Sequence, residues 1–482
     1  MRRAKIVATL GPALDDRDKL RGAIEAGIDV VRLNFSHGDP ETHARRLEAV
    51  REISVKLGRN VGSLADLQGP KIRLGTLPDE GVQLDNGAEV FLQPGREQLD
   101  SYESEGQPSL PVVYESLADD VAPGALVLVD DGSIRLVASR HDEGGVWCRV
   151  VAGGVAKSKK GVNLPGASVS APSLTPKDLE DLKTAVDLGA DWLALSFVRK
   201  AEDPDGAREQ IARHGSEAPI VSKLERPEAI DRLDEVISAS DAVMVARGDL
   251  GVEIGPERVP AIQKQIISKA NAASKPVITA TEMLESMIDS PRATRAEASD
   301  VANAVFDGTD ALMLSGETAA GRYPVEAVRS MARIIEVAES SPQLAHPNPD
   351  WVGYADEPEV GRVVARAAVQ VAKDIQATAL VVYSITGSSI QRVSKYRPDV
   401  PLLGLTPTET ALRRTALMWG TEAGLVPMKE QATDLTSSAE RVLVDGNWAR
   451  RGDQVVIVSG RPGGEGGTNR LMVHRVGDPV VT

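Results

Sequence analysis

Eight short, unbroken aliphatic runs recur through the first two-thirds of the chain, and they limit its fold more than any other feature. They lie at Lys5–Leu10, Asp29–Leu33, Val61–Asp66, Trp192–Phe197, Ile220–Leu224, Ala242–Ala246, Val277–Ala280 and Ala311–Leu314. A run that is apolar at every position, not at alternate ones, suits a parallel strand covered on both faces. Amphipathic helix candidates separate most of them, most clearly Asp15–Ala26, Glu41–Leu57, Thr175–Leu188, Pro227–Ser238, Val259–Ala273 and Tyr323–Glu339. Thr175-Pro176-Lys177-Asp178 is a start signal, with an N-cap hydroxyl and proline at the first helical position. Eight β/α units in series predict a closed (β/α)8 TIM barrel in preference to an open doubly wound sheet.

The alternation breaks once, between the third and fourth runs. From about Pro70 to Pro165 the strand-like pieces Ala88–Leu92, Ala125–Val129, Ile134–Ala138 and Val146–Val151 are set among the hairpin signals Asn86-Gly87, Asp131-Gly132 and Gly144-Gly145. This predicts a small all-β barrel domain, residues 70–166, inserted in a βα loop of a catalytic barrel formed by residues 1–69 and 167–342. Such loops sit at the catalytic face, so the insert is placed to act as a lid. A Pro-rich stretch, Ser340–Glu357, then leads to a C-terminal α/β domain, residues 343–482, with a helix at Glu359–Ile375 and strands at Ala379–Tyr383, Pro401–Leu405 and Gln454–Val458.

Composition narrows the function classes. The 482 residues suggest about three domains at roughly 150 residues each. A net charge of -15 argues against a general nucleic-acid binder. Cys148 is the only cysteine, which excludes intrachain disulfides and cysteine-based zinc clusters. No apolar run approaches the roughly 18 residues that span a bilayer. The first run is cut short by Gly11-Pro12 and followed by Asp15-Asp16, which is too brief for an export signal. The expectation is a cytoplasmic protein with neither membrane nor nucleic acid as partner.

Catalytic residues of a barrel collect at the C-terminal ends of its strands. Here those ends carry Arg32 to His37, Asp66 with Lys71 and Arg73 beyond it, Lys223 and Glu225, Arg247-Gly248-Asp249, Thr281-Glu282, and Ser315-Gly316-Glu317. One charged strand end is as often a solvated loop residue as a functional one. Six in register make a site. Cations beside the two carboxylates Glu225 and Asp249 suit Mg2+, which takes few protein ligands, and a phosphorylated anion. Neither the Gly-x-x-x-x-Gly-Lys-Ser/Thr loop nor the Gly-x-Gly-x-x-Gly fingerprint occurs, so phosphoryl chemistry would use neither common nucleotide cradle.

Longer motifs now bear on the family: Lys-Ile-Val-Ala-Thr-Leu-Gly-Pro at 5–12, Arg-Leu-Asn-Phe-Ser-His-Gly at 32–38, Lys-Gly-Val-Asn-Leu-Pro-Gly at 160–166, Met-Val-Ala-Arg-Gly-Asp-Leu-Gly-Val-Glu at 244–253, Thr-Arg-Ala-Glu-Ala-Ser-Asp-Val-Ala-Asn-Ala at 294–304 and Met-Leu-Ser-Gly-Glu-Thr-Ala at 313–319. Through these the chain closely resembles pyruvate kinases, over nearly its whole length. The resemblance implies transfer of the phosphoryl group of phosphoenolpyruvate to ADP, the last step of glycolysis, giving pyruvate and ATP. It implies Mg2+ (or Mn2+) as cofactor, a homotetramer, and allosteric control by a phosphorylated metabolite. Residue by residue it implies that Arg32 contacts the phosphoryl group and that Lys223 stabilises the transferring phosphoryl and the enolate oxygen. Glu225 and Asp249 would hold the Mg2+. Gly248, Asp249 and Thr281 would bind the substrate carboxylate, with Thr281 also in the relay that protonates the enolate. Asn34, Phe35, Ser36, His37, Arg73 and Lys160 would face the nucleotide.

One departure concerns K+. Asn34, Ser36 and Asp66 match potassium ligands, but Leu67 stands where many relatives have threonine and Lys71 where they have glutamate. A tethered ammonium can supply the missing positive charge. The pattern resembles the potassium-independent branch, and K+ is not expected to be required. In the C-terminal domain, Ser384, Thr386, Gly387, Ser388 and Ser389 open a helix after a strand, as an anion site would, and Arg461 begins a glycine-rich loop that could close over them. Ser388 replaces a basic residue common in the family, which leaves the effector's identity open. Two competing classes remain: a Mg2+-dependent barrel lyase acting on a pyruvate enolate, and a catalytically silent metabolite-sensing scaffold. The lyase has no need of Arg73, Lys160 or the insert. The scaffold predicts damage at Lys223, Glu225, Asp249 or Thr281, and all four are intact.

Overall fold

The eight runs become eight parallel strands of one closed barrel, taken in sequence order around the ring: Lys5–Thr9, Val30–Asn34, Gly62–Asp66, Trp192–Leu195, Ile220–Leu224, Ala242–Ala246, Val277–Ala280 and Ala311–Leu314. The ring closes where Lys5 pairs with Ala311 and Ile6 with Leu312. The structure, a computed structural model, describes residues 2–167, 170–341, 359–428, 432–460 and 467–479. Alternate residues of each strand point inward, and the inner layer is aliphatic and small: Val7, Val30, Leu64, Ala194, Val221, Met244, Ile278 and Met313 pack with Trp192 in one buried cluster. With aromatics at 3% of the chain, Trp192 is an exception in a barrel filled mainly by Ala, Val, Leu, Ile and Met.

The expected helices form, with one correction. Pro227–Ser238 is two helices, Pro227–Asp231 and Leu233–Ala239, because Arg232 leaves helical geometry at φ -116, ψ 32. Two start signals are explicit: Thr175 and Thr294 each form a capping box, with Asp178 and Glu297.

Chain from the inserted segment folds into a seven-stranded sheet and a two-stranded ribbon, Val82–Leu84 with Gly154–Ala156. One short helix, Leu117–Asp120, interrupts the β pattern. Two of the three turn signals close hairpins: Leu126–Val129 pairs with Ile134–Asp142 and Ile134–Asp142 with Gly145–Ala152. Asn86-Gly87 is a turn, with Gly87 at φ 85, but not a hairpin. The strand before it joins the ribbon, whereas Glu89–Pro94, after it, joins the large sheet. Cys148 is buried in this domain, where desolvation pushes its thiol up to about 12.

The C-terminal sheet has five strands in the order Thr421–Leu425, Leu402–Thr406, Ala379–Tyr383, Gln454–Gly460, Thr468–Arg475, the last antiparallel. Both outer strands escape a hydrophobicity reading, since edge strands such as Thr-Asn-Arg-Leu-Met-Val-His-Arg are mixed in polarity. Much of the Pro-rich connection, and the barrel boundary at residue 342, lie outside the described residues.

The C-terminal domain seats on the barrel floor through charge as well as packing. Ala416 and Leu417 join the barrel's inner cluster. Asp310, immediately before the eighth strand, accepts Lys395 at 2.6 Å and Arg397 at 2.8 Å, all three nearly inaccessible. Burial pulls the Lys395 ammonium down to about 8, against the attraction of Asp310. Asp191, immediately before the fourth strand, accepts Arg413 at 2.9 Å and both the N–H and hydroxyl of Ser63. Asp310→Asn strips the shared counter-charge from two buried cations. Expected loss of stability is about 3–5 kcal/mol, to be read as a lower midpoint in urea or thermal unfolding.

Candidate active site

Period-two alternation sets the rim. Two residues beyond the inward apolar layer, the same strand faces present Thr9 after Val7, Arg32 after Val30, Asp66 after Leu64, Ser196 after Ala194 and Lys223 after Val221. These five form one bonded polar layer. Asp66, 1% exposed, accepts Arg32 Nε at 2.7 Å through Oδ2, and its Oδ1 lies 3.6 Å from Lys223 Nζ. Arg32 also donates to the Thr9 hydroxyl at 3.1 Å, and Lys223 to the Ser196 hydroxyl at 2.8 Å. One carboxylate thus spaces two cations at the mouth of the barrel. Thr9 and Ser196 went unnoticed in the sequence, although the two-residue step beyond Val7 and Ala194 marks them.

Glu225 continues the inward face of Lys223. Its Oε1 accepts the Phe197 N–H at 2.6 Å, and its Oε2, buried and without a hydrogen bond, lies 3.4 Å from Lys223 Nζ. Burial raises the Glu225 carboxyl to about 7, against the pull of Lys223. Burial alone would lower Lys223, but Asp66, Glu225 and Asp249 outweigh it and hold the ammonium above its ordinary value. Asp249 sits in a helix, Arg247–Ile254, that the sequence had shown only as a strand end. Burial works against its charge, and Lys71 and Lys223 more than compensate, so its carboxyl is held low. A buried carboxylate oxygen with no hydrogen bond, next to a second carboxylate, fits a divalent cation that draws its remaining ligands from substrate and water. Among the described residues no group of three or more His, Cys, Asp or Glu could hold a metal by itself.

Thr281 closes the site from the seventh strand. Its φ is +67, an outlier for a β-branched residue, and Glu282 follows at φ 52. The conformation is held from several sides. The Thr281 hydroxyl accepts the Gly248 N–H at 2.7 Å and donates to the Ala280 carbonyl at 2.6 Å, and Arg247 donates to the Thr281 carbonyl at 2.7 Å. Arg247, counted with the rim cations by position, therefore turns into the barrel wall, where it also pairs with Asp300 at 2.7 Å.

The second strand leads into the Asn34–His37 turn. Asn34 Oδ1 accepts the Ser36 N–H, and the His37 N–H returns to the Asn34 carbonyl. The Phe35 ring is buried and stacked on His43 at 4.4 Å, so it offers the mouth its backbone only. Arg73 and Lys160 come together at the base of the insert, where Arg73 bridges Gly161 and Lys160 pairs with Asp130 at 2.8 Å. The structure takes Lys71 to Asp249, 3.2 Å away, rather than to Asn34, Ser36 and Asp66. In the C-terminal domain Ser384, Thr386 and Gly387 lie in one loop, with Gly387 at φ 93 as the N-cap, and Ser388 and Ser389 begin the helix Ser388–Ser394 that follows it. Their hydroxyls are partly spent internally: Ser384 accepts the N–H of Gly387 and of Ser389, and Ser389 accepts the Thr468 hydroxyl. Arg461 lies outside the described residues.

This rim and its flanking domains can be set against known proteins. The family profile described as pyruvate kinase, barrel domain, matches residues 1–328, and that described as pyruvate kinase, alpha/beta domain, matches residues 362–474. The chain belongs to the pyruvate kinase family. A pyruvate kinase of Mycobacterium tuberculosis is 45% identical over 483 residues, covering 100% of both chains. One of Corynebacterium glutamicum is 44% identical over 482 residues, covering 99% of this chain and 98% of the relative. One of Agrobacterium vitis is 42% identical over 492 residues, covering 99% of each. No helix among the described residues is long and apolar enough to cross a membrane.

Proposed function

We propose that this chain is a phosphotransferase that moves the phosphoryl group of phosphoenolpyruvate to ADP, giving pyruvate and ATP. Family membership over nearly the whole chain supports the reaction, and the single structural observation behind it is the bonded layer of Arg32, Asp66 and Lys223 beside Glu225 and Asp249. In the transfer a terminal ADP oxygen forms a bond to phosphorus while the bond from phosphorus to the enol oxygen breaks, and the resulting enolate takes a proton at carbon. Such a reaction needs alignment and fixed positive charge more than covalent help. Arg32 and Lys223 supply that charge in place, because Asp66 and the hydroxyls of Thr9 and Ser196 hold them before substrate arrives. Mg2+, held by Glu225 and Asp249, would add positive charge where the substrate's oxygens gather. Gly248 and Thr281 already bond to each other beside Asp249, at the place assigned to the substrate carboxylate. Thr281 is assigned to the proton relay, and its strained backbone fits a group held for reaction.

The nucleotide is assigned to Asn34–His37, Arg73 and Lys160, between the second strand and the insert. The protein is read as cytoplasmic and as a homotetramer. Lys71 would replace the monovalent ion by its charge, a reading that rests on its place in the sequence, since its contact in the structure is with Asp249. A phosphorylated metabolite is assigned to the Ser384–Ser389 loop.

A coupled assay of pyruvate formation tests the reaction. Lys223→Met is expected to lower kcat by at least about 10²–10³-fold, with the fold intact by circular dichroism. The same assay with Mg2+ in buffer free of Na+ and K+ should run at full rate, and a strict need for K+ would overturn the role of Lys71. Across a panel of sugar phosphates and nucleotides, Thr386→Ala with Ser389→Ala should abolish the drop in substrate half-saturation that the effector causes. An unchanged response would count against that loop.

A further inference from the structure

Behind the rim, outside every role assigned above, Arg226 and Glu253 form an ion pair at 2.7 Å with side chains 6% and 1% exposed. Glu253 Oε1 also accepts Asn163 Nδ2 at 3.0 Å, and Arg226 reaches the Ala167 carbonyl at 3.5 Å and Glu228 at 3.3 Å. Taking two charges out of water is costly, and their attraction offsets that cost only in good geometry. Stability alone is therefore a weak account of the pair.

Its place in the chain is more telling. Arg226 directly follows Glu225, and Glu253 lies one helical turn from Asp249 on the helix Arg247–Ile254. Each end of the pair is thus fastened to one of the two carboxylates assigned to Mg2+. The pair also faces the insert. Asn163 belongs to the short strand Val162–Asn163, where the chain is about to leave the insert for the barrel, and it is paired there with Leu128. A small cavity bordered by Pro70, Lys71, Val162, Asn163, Phe197 and Arg226 brings the two crossings between barrel and insert to this one spot. The outgoing crossing touches the same helix, through Lys71 on Asp249.

We propose that Arg226, Glu253 and Asn163 are positioning residues that brace Glu225 against Asp249 and tie their spacing to the seating of the lid's return strand. The proposal rests on the Mg2+ assignment given above. Outer partners that orient liganding carboxylates set metal affinity, and a coupling between two events acts equally in both directions. A seated lid tightens the metal site, and a filled metal site holds the lid strand.

The test uses the full-length chain without substrate, with Mn2+ as the probe. Its dissociation constant is read by electron paramagnetic resonance, and amide hydrogen exchange is followed at residues 70–75 and 160–166. Glu253→Gln is expected to weaken Mn2+ binding roughly 10–100-fold. Asn163→Ala, which leaves the Arg226–Glu253 pair inside the barrel intact, should weaken it in the same direction and speed exchange at the crossings. Added Mn2+ should slow that exchange in the unaltered chain and fail to do so in Asn163→Ala. If Glu253→Gln does not fold, Asn163→Ala carries the test alone. Faster exchange with an unchanged Mn2+ constant in Asn163→Ala would overturn the brace. Absence of Mn2+ binding by the unaltered chain would instead overturn the metal assignment, and the brace with it.

Discussion

Inside a ring of parallel strands only every second side chain points to the axis, and the polar layer of this protein follows from that restriction. One step below it the inward positions are aliphatic, and one step above it the strands end. Arg32, Asp66 and Lys223 therefore meet at a single height, where Asp66 is too buried to be solvated and must be shared between the two cations. Removing that carboxylate would leave like charges facing each other. Keeping it means both cations are already spaced when an anion arrives. The electrostatics of the neighbouring groups are set from here: Lys223 is held charged by the carboxylates around it, and it in turn keeps burial from raising Glu225 further.

Much of this was legible in the chain. Unbroken aliphatic runs are easy to see because strands buried on both faces admit little else, and all eight became barrel strands. The long motifs carried the family, and the strand-end rule brought Arg32, Lys223, Glu225, Asp249 and Thr281 to one rim. What stayed hidden has particular causes. The helix Arg247–Ile254 is short and contains Gly248, Gly251, Val252 and Ile254, none of them strong helix formers, so its sequence does not announce it. Arg247 looked like its neighbours by position, and only the Thr281 carbonyl and Asp300 reveal where it points. The outer strands of the C-terminal sheet are half solvated and lack a clean hydrophobic signature. Pairs such as Arg226 with Glu253 join residues 27 apart, a separation no local pattern can show.

The insert and the C-terminal domain approach the barrel from opposite ends and by different means. At the rim the contacts are few and polar, made by single side chains such as Lys71 and Asn163. At the floor they combine buried charge with apolar side chains that complete the barrel's own core. The insert keeps a hydrophobic cluster of its own, apart from those of the barrel, whereas separation of the C-terminal domain would take Ala416 and Leu417 out of the barrel's inner cluster.

The floor contacts have a mechanical consequence. Asp191 and Asp310 precede the fourth and eighth strands, which lie opposite each other in a ring of eight. Further hydrogen bonds tie the same domain beneath the first, third and seventh strands, through Lys5 to the Thr421 carbonyl, Asn60 to the Leu412 carbonyl and Gln391 to the Ser274 carbonyl. A body held at so many points around a ring cannot tilt about any one line without stretching a bond, so the C-terminal domain and the barrel floor would shift together or not at all.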